Sequence, residues 1–526
     1  AKHRHYLQKR EEMTFRYNRR DLLKGGAAIS ATSLASSLEM FAGQKESLAA
    51  SPSGPYQSSW NSLRNIPVPQ WLRDGKFGIY THWGVYSVPA YGKNGTWYSH
   101  NIYSDPDSDD RKHQEATYGP LEKFGYKDFI PMFTGSHFDP DEWAELFKNA
   151  GARFAGPVAE HVDGFSMWNT KYSKWNAVKM GPRRDVVGEL STAIKQQNMK
   201  FLTTFHHAEN WFWVPTWDKR YDVGDPRYAG LYGEAHAPGA LPSKKFLDVW
   251  EGKVIEVVNN YNPDALWFDH GLNIIQEWYR KDLVTYYFNH AARLGKEVTV
   301  FYKWNDLTPG VGINDLENGQ ELTLTYNEWI TDTTVDAGTG WGYVKAIGFK
   351  SVNELVTGLV DRVSKNGFLL LDVGPKPDGT IPEPAKERLR GIGDWLRING
   401  EAIYGTSPWL IAAEGPTRLK KNGAFNEDNS IQYTPQDIRF TCKDDYLYVI
   451  LLAWPGDRAH ITSLVPKGVL WGWAGFYPTE IASIKMLGSD EPLKWEFTKE
   501  ALVVTTPRAK PCDHAFVLRI TLKKPF

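Results

Sequence analysis

Ala265-Leu-Trp-Phe-Asp-His-Gly271 is a run of four apolar residues that ends abruptly in a carboxylate, an imidazole and a glycine. A run this short and this uniformly apolar reads as a strand buried on both faces. The same pattern recurs on either side. Phe77–Thr81 runs into His82-Trp83-Gly84, residues 154–159 run into Glu160-His161-Val162-Asp163, and residues 201–205 run into His206-His207. Residues 298–302 and 367–372 are further apolar runs of the same kind. Amphipathic stretches at 140–150, 188–197, 246–259 and 352–364 lie between them and are read as helices. Strand–helix alternation from about residue 60 to about residue 400 predicts an α/β fold, a (β/α)8-type (TIM-like) barrel. The competitor is an open doubly wound sheet, but the chain has no Gly-rich phosphate loop or dinucleotide fingerprint to support one.

From about residue 404 the character changes. Short β-type runs at 431–434, 438–442, 447–453, 481–486, 502–505 and 515–522 alternate with turn residues, and predict a C-terminal antiparallel β-sandwich. The N-terminus reads as an address. Asn18-Arg-Arg-Asp-Leu-Leu-Lys24 places a twin arginine before Leu-Leu, a mildly apolar stretch follows over 25–42, and small residues stand at Ala49-Ala50. This pattern is that of a twin-arginine export signal, and the expected destination is the periplasm or beyond. The stretch is too short and too rich in Ser, Gly and Ala to span a bilayer, and no later run reaches 18 uninterrupted apolar residues, so no membrane span is expected in the mature form. The expected partition is 1–55 export signal and linker, 56–403 catalytic barrel, and 404–526 sandwich.

With 61 basic against 62 acidic side chains the net charge is −1. No cationic excess exists to neutralise phosphates, so nucleic acid is not an expected partner. Cys442 and Cys512 allow one disulfide at most, which excludes a bridge-stapled fold. Aromatic residues make up 14% of the chain, with 22 Trp. Aromatic faces stack well on the C–H faces of sugars, although a large core also consumes them.

Catalytic groups of such a barrel come from the C-terminal ends of its strands. Here several ends combine polar groups with Trp or Phe, which predicts a polar, aromatic-walled pocket suited to a sugar. His161, His206, His207 and Glu209 could ligate zinc, but no HExxH occurs, and adjacent histidines on a strand point to opposite faces. Neither metal nor cofactor is expected. A serine hydrolase is equally unsupported, since no GxSxG elbow is present. Paired carboxylates remain, the equipment of glycosidic bond cleavage. Asp269 is the best nucleophile candidate, with Gly271 leaving room for substrate; the alternative role is a cap on the next helix. For its acid/base partner the residues leave Glu317, Glu328 and Asp332 open.

At this point the chain resembles the family 29 glycoside hydrolases, the retaining α-L-fucosidases. The likeness is carried by residues 71–92 (Trp-Leu-Arg-Asp-Gly-Lys-Phe-Gly-Ile-Tyr-Thr-His-Trp-Gly and onward), by Asp163-Gly-Phe165 with Met180-Gly-Pro-Arg-Arg-Asp185, by Tyr261-Asn-Pro-Asp-Ala-Leu-Trp-Phe-Asp269, by residues 366–380, and by Asn399-Gly-Glu-Ala-Ile-Tyr-Gly405. The resemblance implies that Asp269 is the nucleophile and that His82, Trp97, His161 and Trp267 line a fucose pocket, with His206 and His207 at the strand end that supplies another sugar contact. It also implies a fucosylated oligosaccharide or polysaccharide as substrate.

The chain departs from the family pattern in three places. Val162 stands where many members carry a second His, and Thr96 precedes Trp97 where many have Glu. Trp329 is followed by Ile330 where a Trp-Glu pair often supplies the acid/base. The resemblance then points to the upstream motif Asp315-Leu-Glu-Asn-Gly319, hence to Glu317, with Glu328 as runner-up. The expected reaction is a double displacement with retention. Gly319 should permit a tight turn beside Glu317, and apolar neighbours and Asp269 should raise the Glu317 pKa. Two other readings share the same barrel: a catalytically silent carbohydrate-binding protein, and a glycosidase for a related sugar such as L-galactose.

Overall fold

The computed structural model describes residues 53–338, 340–428, 430–465 and 477–525. The export signal expected within residues 1–50 lies outside the described residues. Eight parallel strands close into a barrel: β1 (Phe77–Thr81), β2 (Phe154–Glu160), β3 (Lys200–Phe205), β4 (Ala265–Phe268), β5 (Thr299–Lys303), β6 (Ile313–Asp315), β7 (Trp329–Thr334) and β8 (Gly367–Val373). The ring closes where β8 pairs back to β1, with Phe77 opposite Leu369 and Thr81 opposite Val373. Every residue of β1, β2, β4, β5, β7 and β8 is buried, which is why most of these strands read as unbroken apolar runs.

Six longer helices cover the barrel: α1 (Pro140–Asn149), α2 (Val186–Gln196), α3 (Lys244–Tyr261), α4 (Glu277–Arg293), α5 (Val352–Ser364) and α6 (Glu383–Asn399). They follow β1, β2, β3, β4, β7 and β8. The starts obey local chemistry. Asp139 accepts the N–H groups of Asp141 and Glu142 ahead of α1, and Ser351 and Glu354 form a reciprocal capping box on α5. α4 escapes the sequence pattern because its buried face includes Tyr279, Thr285 and Asn289. Among the described residues no helix separates β5 from β6 or β6 from β7, so the β/α alternation lapses at those two steps.

Beyond the barrel, β9 (Ser407–Glu414), β10 (Ile438–Lys443), β11 (Tyr446–Leu451), β13 (Ile481–Met486) and β16 (Phe516–Leu522) form one antiparallel sheet; β12 (Arg458–Ile461), β14 (Trp495–Phe497) and β15 (Leu502–Thr505) form another. Phe440, Leu447 and Leu518 of the first sheet share one buried cluster with Ile461, Leu502 and Val504 of the second, the packing of a sandwich. Residues 431–434, expected as a strand, are irregular. Their role is a turn: the Asp437 carboxylate accepts the N–H and hydroxyl of Thr434 at 2.7 and 2.9 Å. Cys442 and Cys512 are not bonded to each other.

Polar contacts are among those that tie the sandwich to the barrel. The Asp361 carboxylate on α5 accepts from Lys365 at 2.7 Å and from Arg439 on β10 at 2.6 Å. The connection between β9 and β10 also reaches the loop after β6, where the N–H of Phe425 donates to the Glu317 carbonyl and that of Glu427 to the Asn318 carbonyl, both at 2.7 Å. No helix among the described residues is long and apolar enough to cross a membrane.

Candidate active site

Three imidazoles converge where β1, β2 and β3 end. His82 donates both its backbone N–H and its Nδ1–H to Oδ1 of Asp372 on the neighbouring β8, at 3.0 and 2.9 Å. The ring centres of His161 and His206 lie 5.4 and 5.0 Å from that of His82 and 4.6 Å from each other. Burial, with the other rings nearby, holds His161 well below its usual pKa, and its Nδ1 has no partner. Burial lowers His206 to about 4 despite Asp269. His161 and His206 are therefore neutral rings. Aromatic walls complete it: Trp341 stands 5.5 Å from His82, Tyr86 5.0 Å from His161, and Trp267 5.1 Å from His206.

Asp269 follows β4 directly. His206 Nδ1–H donates to its Oδ2 at 2.9 Å, which leaves Oδ1 for chemistry. Burial works against its charge, yet His206 with its hydrogen bond, the neighbouring His270 and the cationic Lys303 outweigh it and hold the carboxyl well below the usual range. Glu317 follows β6. Carboxylate oxygens of Asp269 and Glu317 lie within 4.8 Å of each other. Retaining glycosidases place their two carboxyls about 5–5.5 Å apart.

The surroundings of Glu317 differ from the expectation. Its Oε2 accepts from His270 Nε2 at 2.8 Å and lies 3.3 Å from Lys303 Nζ. Burial and Asp269 push its pKa up, but Lys303 and His270 prevail and lower it. The apolar neighbours expected from the sequence are replaced by a lysine and a histidine. Both contacts fall on Oε2, so Oε1 is the oxygen left to handle a proton. Burial opposes charge on His270, but its bond to Glu317 and the nearby carboxylates carry it up to about 9. The Trp304 indole N–H points at His270 Nδ1 from 2.6 Å, however, and can donate there only to a neutral ring. Together the two hydrogen bonds fix the tautomer with the proton on Nε2.

Below the pair, Lys303 Nζ lies 2.6 Å from Asp332 and 3.7 Å from Asp315. Trp267 donates its indole N–H to Asp315 at 2.5 Å, and Tyr80 donates to Asp332 at 3.0 Å. Burial and the Asp315 charge push Asp332 well above the carboxylate range, so it keeps its proton.

The structure therefore brings together His82, His161, His206, Trp267, Asp269 and Glu317. His207, Glu328 and Asp332 lie elsewhere. His207 turns away, its Nε2 on the Trp250 carbonyl of α3 at 3.3 Å and its ring stacked on that of Trp250; a strand sends neighbouring residues to opposite faces. Trp97 packs on Trp213, 5.0 Å between centres, and Trp213 stands 6.5 Å from His161. Glu328 precedes β7 at the opposite end of the barrel, where Arg73 binds it at 2.7 Å. Asp332 lies inside the barrel on β7. Gly271 makes a left-handed turn (φ 99°), and a side chain there would strike Glu209, so a turn rather than substrate room explains it. Beside Glu317 the left-handed residue is Asn318 (φ 42°), not Gly319. Lys303, Trp341, Asp372 and Tyr80 are site residues that no sequence pattern singled out. Among the described residues two groups have donor atoms close enough for one cation, His82 with His161 and His206, and Asp269 with His270 and Glu317. Imidazoles so placed equally suit a ligand rich in hydroxyls.

The family model for alpha-L-fucosidase matches residues 43–401, and that for the alpha-L-fucosidase C-terminal domain matches 431–521. The chain is 30% identical to tissue alpha-L-fucosidase of Homo sapiens over 498 residues, covering 92% of this chain and 96% of that protein. It is 31% identical to the Bos taurus tissue enzyme over 480 residues, covering 89% and 91%. Among solved structures, the alpha-fucosidase of Thermotoga maritima in complex with fucose superposes with a TM-score of 0.70 at 31% identity, covering 89% of this chain and all of that one.

Proposed function

The chain belongs to the α-L-fucosidase family of glycoside hydrolases, and on that premise we propose that Asp269 and Glu317 carry out a retaining hydrolysis of terminal α-L-fucosides. The observation that supports the roles is the facing pair of carboxylates within 4.8 Å, one bound by a neutral histidine and the other at the mouth beside His270.

Asp269 Oδ1 attacks the anomeric carbon as the bond to the leaving oxygen breaks. The electron pair stays on that oxygen, which takes the proton from Glu317 Oε1. A fucosyl ester of Asp269 remains. Water then gives its proton to Glu317, attacks the same carbon from the opposite face, and returns Asp269 to its carboxylate. His206 keeps Asp269 ionised and oriented without competing for its proton, because burial makes the ring a poor base. His82, held by Asp372, and His161 offer nitrogens to ring hydroxyls, and Trp267 supplies an apolar wall.

Asp269→Gly is expected to lose at least about 10³-fold in kcat/KM on an aryl fucoside, as removal of a group essential to the chemistry does. Azide should restore part of the turnover to the truncated variant and yield the inverted β-fucosyl azide. An Asp269→Asn enzyme with near-normal rate would overturn the assignment.

A further inference from the structure

Beside Glu317 stand three aromatic rings that the mechanism leaves without a task toward substrate. Trp304 follows β5, His270 follows Asp269, and Phe425 comes from the connection between β9 and β10. Their ring centres are 5.8 Å (His270–Trp304), 6.1 Å (His270–Phe425) and 6.2 Å (Trp304–Phe425) apart. Trp304 is 45% exposed and Phe425 36%, whereas Trp267 and Trp341 of the inner pocket are almost wholly buried.

Both exposed aromatics have left-handed backbones, φ 50° at Trp304 and 58° at Phe425. Bulky side chains seldom adopt this conformation, which strains them. Neither ring recovers that cost by full burial. Strain of this kind persists where the surroundings over-determine it, and it collects at ligand sites.

The surroundings do over-determine Phe425. Its N–H donates to the Glu317 carbonyl, Gly423 donates to the Gln320 carbonyl, and Glu427 donates to the Asn318 carbonyl, each at 2.7 Å. A Cβ on Gly319 would lie 2.8 Å from the Gly423 carbonyl oxygen, so glycine there is what lets the two backbones meet. The Glu427 carboxylate is the anchor: it accepts from Thr333 at 2.7 Å, Lys350 at 2.8 Å and Arg362 at 2.5 Å. Burial opposes its charge, but Lys350 and Arg362 bring its pKa down to about 2.

The leaving oxygen must lie at Glu317 to receive its proton, and His270 joins Glu317 to Trp304 through two hydrogen bonds. Whatever departs with that oxygen therefore lies beside these rings. Resting on the fucosidase reading above, we propose that Trp304 and Phe425 form a platform for the leaving group, stacking on the C–H face of the sugar ring to which fucose is attached. The C-terminal part of the chain, through residues 423–427, then supplies one wall of the active site.

The test compares two substrates that share the fucosyl half: α-L-fucosyl fluoride, whose leaving group is one atom, and a fucosyl disaccharide. Trp304→Ala and Phe425→Ala should each lower the disaccharide-to-fluoride ratio of kcat/KM at least tenfold, while Phe425→Tyr keeps the ratio within about twofold of the parent. If Phe425→Ala fails to fold by thermal melting, Phe425→Leu keeps the bulk without the aromatic face and should show the same fall. Because fluoride departs with little help from Glu317, a fall of the same size on methyl α-L-fucoside, which needs that proton but has no ring to stack, would mean that the rings act only by holding Glu317 in place, and would overturn the platform. A parent enzyme inactive on the fluoride would overturn the fucosidase reading and the platform with it; an active parent with an unmoved ratio in the variants would overturn the platform alone.

Discussion

Asp269, Asp315, Glu317 and Asp332 share the field of Lys303, which is almost wholly buried among them. So crowded a set cannot hold every charge, and the proton settles on Asp332, which burial and the Asp315 charge push well above the carboxylate range. The same field, with the His270 hydrogen bond, lowers Glu317. The sign of a pH effect follows. A donor whose pKa is held down loses its proton early, so kcat/KM should fall as pH rises through the acid range. His270→Ala removes a group that stabilises the carboxylate, raises the Glu317 pKa, and should move that falling limb to higher pH. A limb that stays in place would assign the proton to another group. At this scale the sequence was informative where chemistry sits directly at a strand end, as with His82, His161, His206 and Asp269. It misjudged Glu317 because the groups that set its pKa, Lys303 and His270, come from β5 and the end of β4, and their approach is a product of barrel closure.

A strand's direction decides which of its ends can do chemistry. β7 makes the point, since Glu328 just before it and Asp332 within it had both stood as proton donors, and neither reaches the mouth. Glu328→Ala should leave kcat/KM within about twofold of the parent and cost no more than about 1 kcal/mol of stability, the usual worth of an exposed ion pair such as that with Arg73. A hundredfold loss of activity would return Glu328 to the mechanism. β7 and β6 were also the barrel strands the apolar pattern did not reveal. β7 carries Thr331, Asp332, Thr333 and Thr334, all buried and all hydrogen-bonded, Asp332 to Lys303 and Tyr80 and the threonines to groups in the neighbouring loops, and β6 is only three residues long. Periodicity detects burial only when burial selects apolar side chains, and here the barrel interior is wired with polar ones. The other barrel strands, and helices α1, α2, α3 and α5, fell within a few residues of their expected places because their buried faces are apolar, whereas β9, β12 and β14 of the sandwich were not anticipated.

Barrel and sandwich share buried charge as well as apolar surface. Asp361 on α5 lies between Lys365 and Arg439, all three side chains at most 6% exposed. Burial opposes its ionisation, but the two cations bring it down to about 2. Asp361→Ala would leave two buried cations without their carboxylate, and should lower the unfolding free energy at neutral pH by about 3–5 kcal/mol. Since the folded pKa is depressed, the stabilisation is present above the unfolded value near 3.8 and is lost as pH falls towards about 2. The gap between parent and variant in chemical denaturation should therefore close over that interval; a gap that persisted at pH 2 would mean that packing, not charge, is what the substitution removed. The contact of residues 423–427 with the loop of Glu317 has a consequence for inheritance. In many modular enzymes a crossover in the linker between domains is silent, because each cassette carries its own function. Here a crossover near residue 404 would hand the barrel a foreign brace for its proton donor and a foreign ring beside it. A lineage could change which glycans it trims by exchanging the half of the gene that encodes none of its catalytic carboxylates.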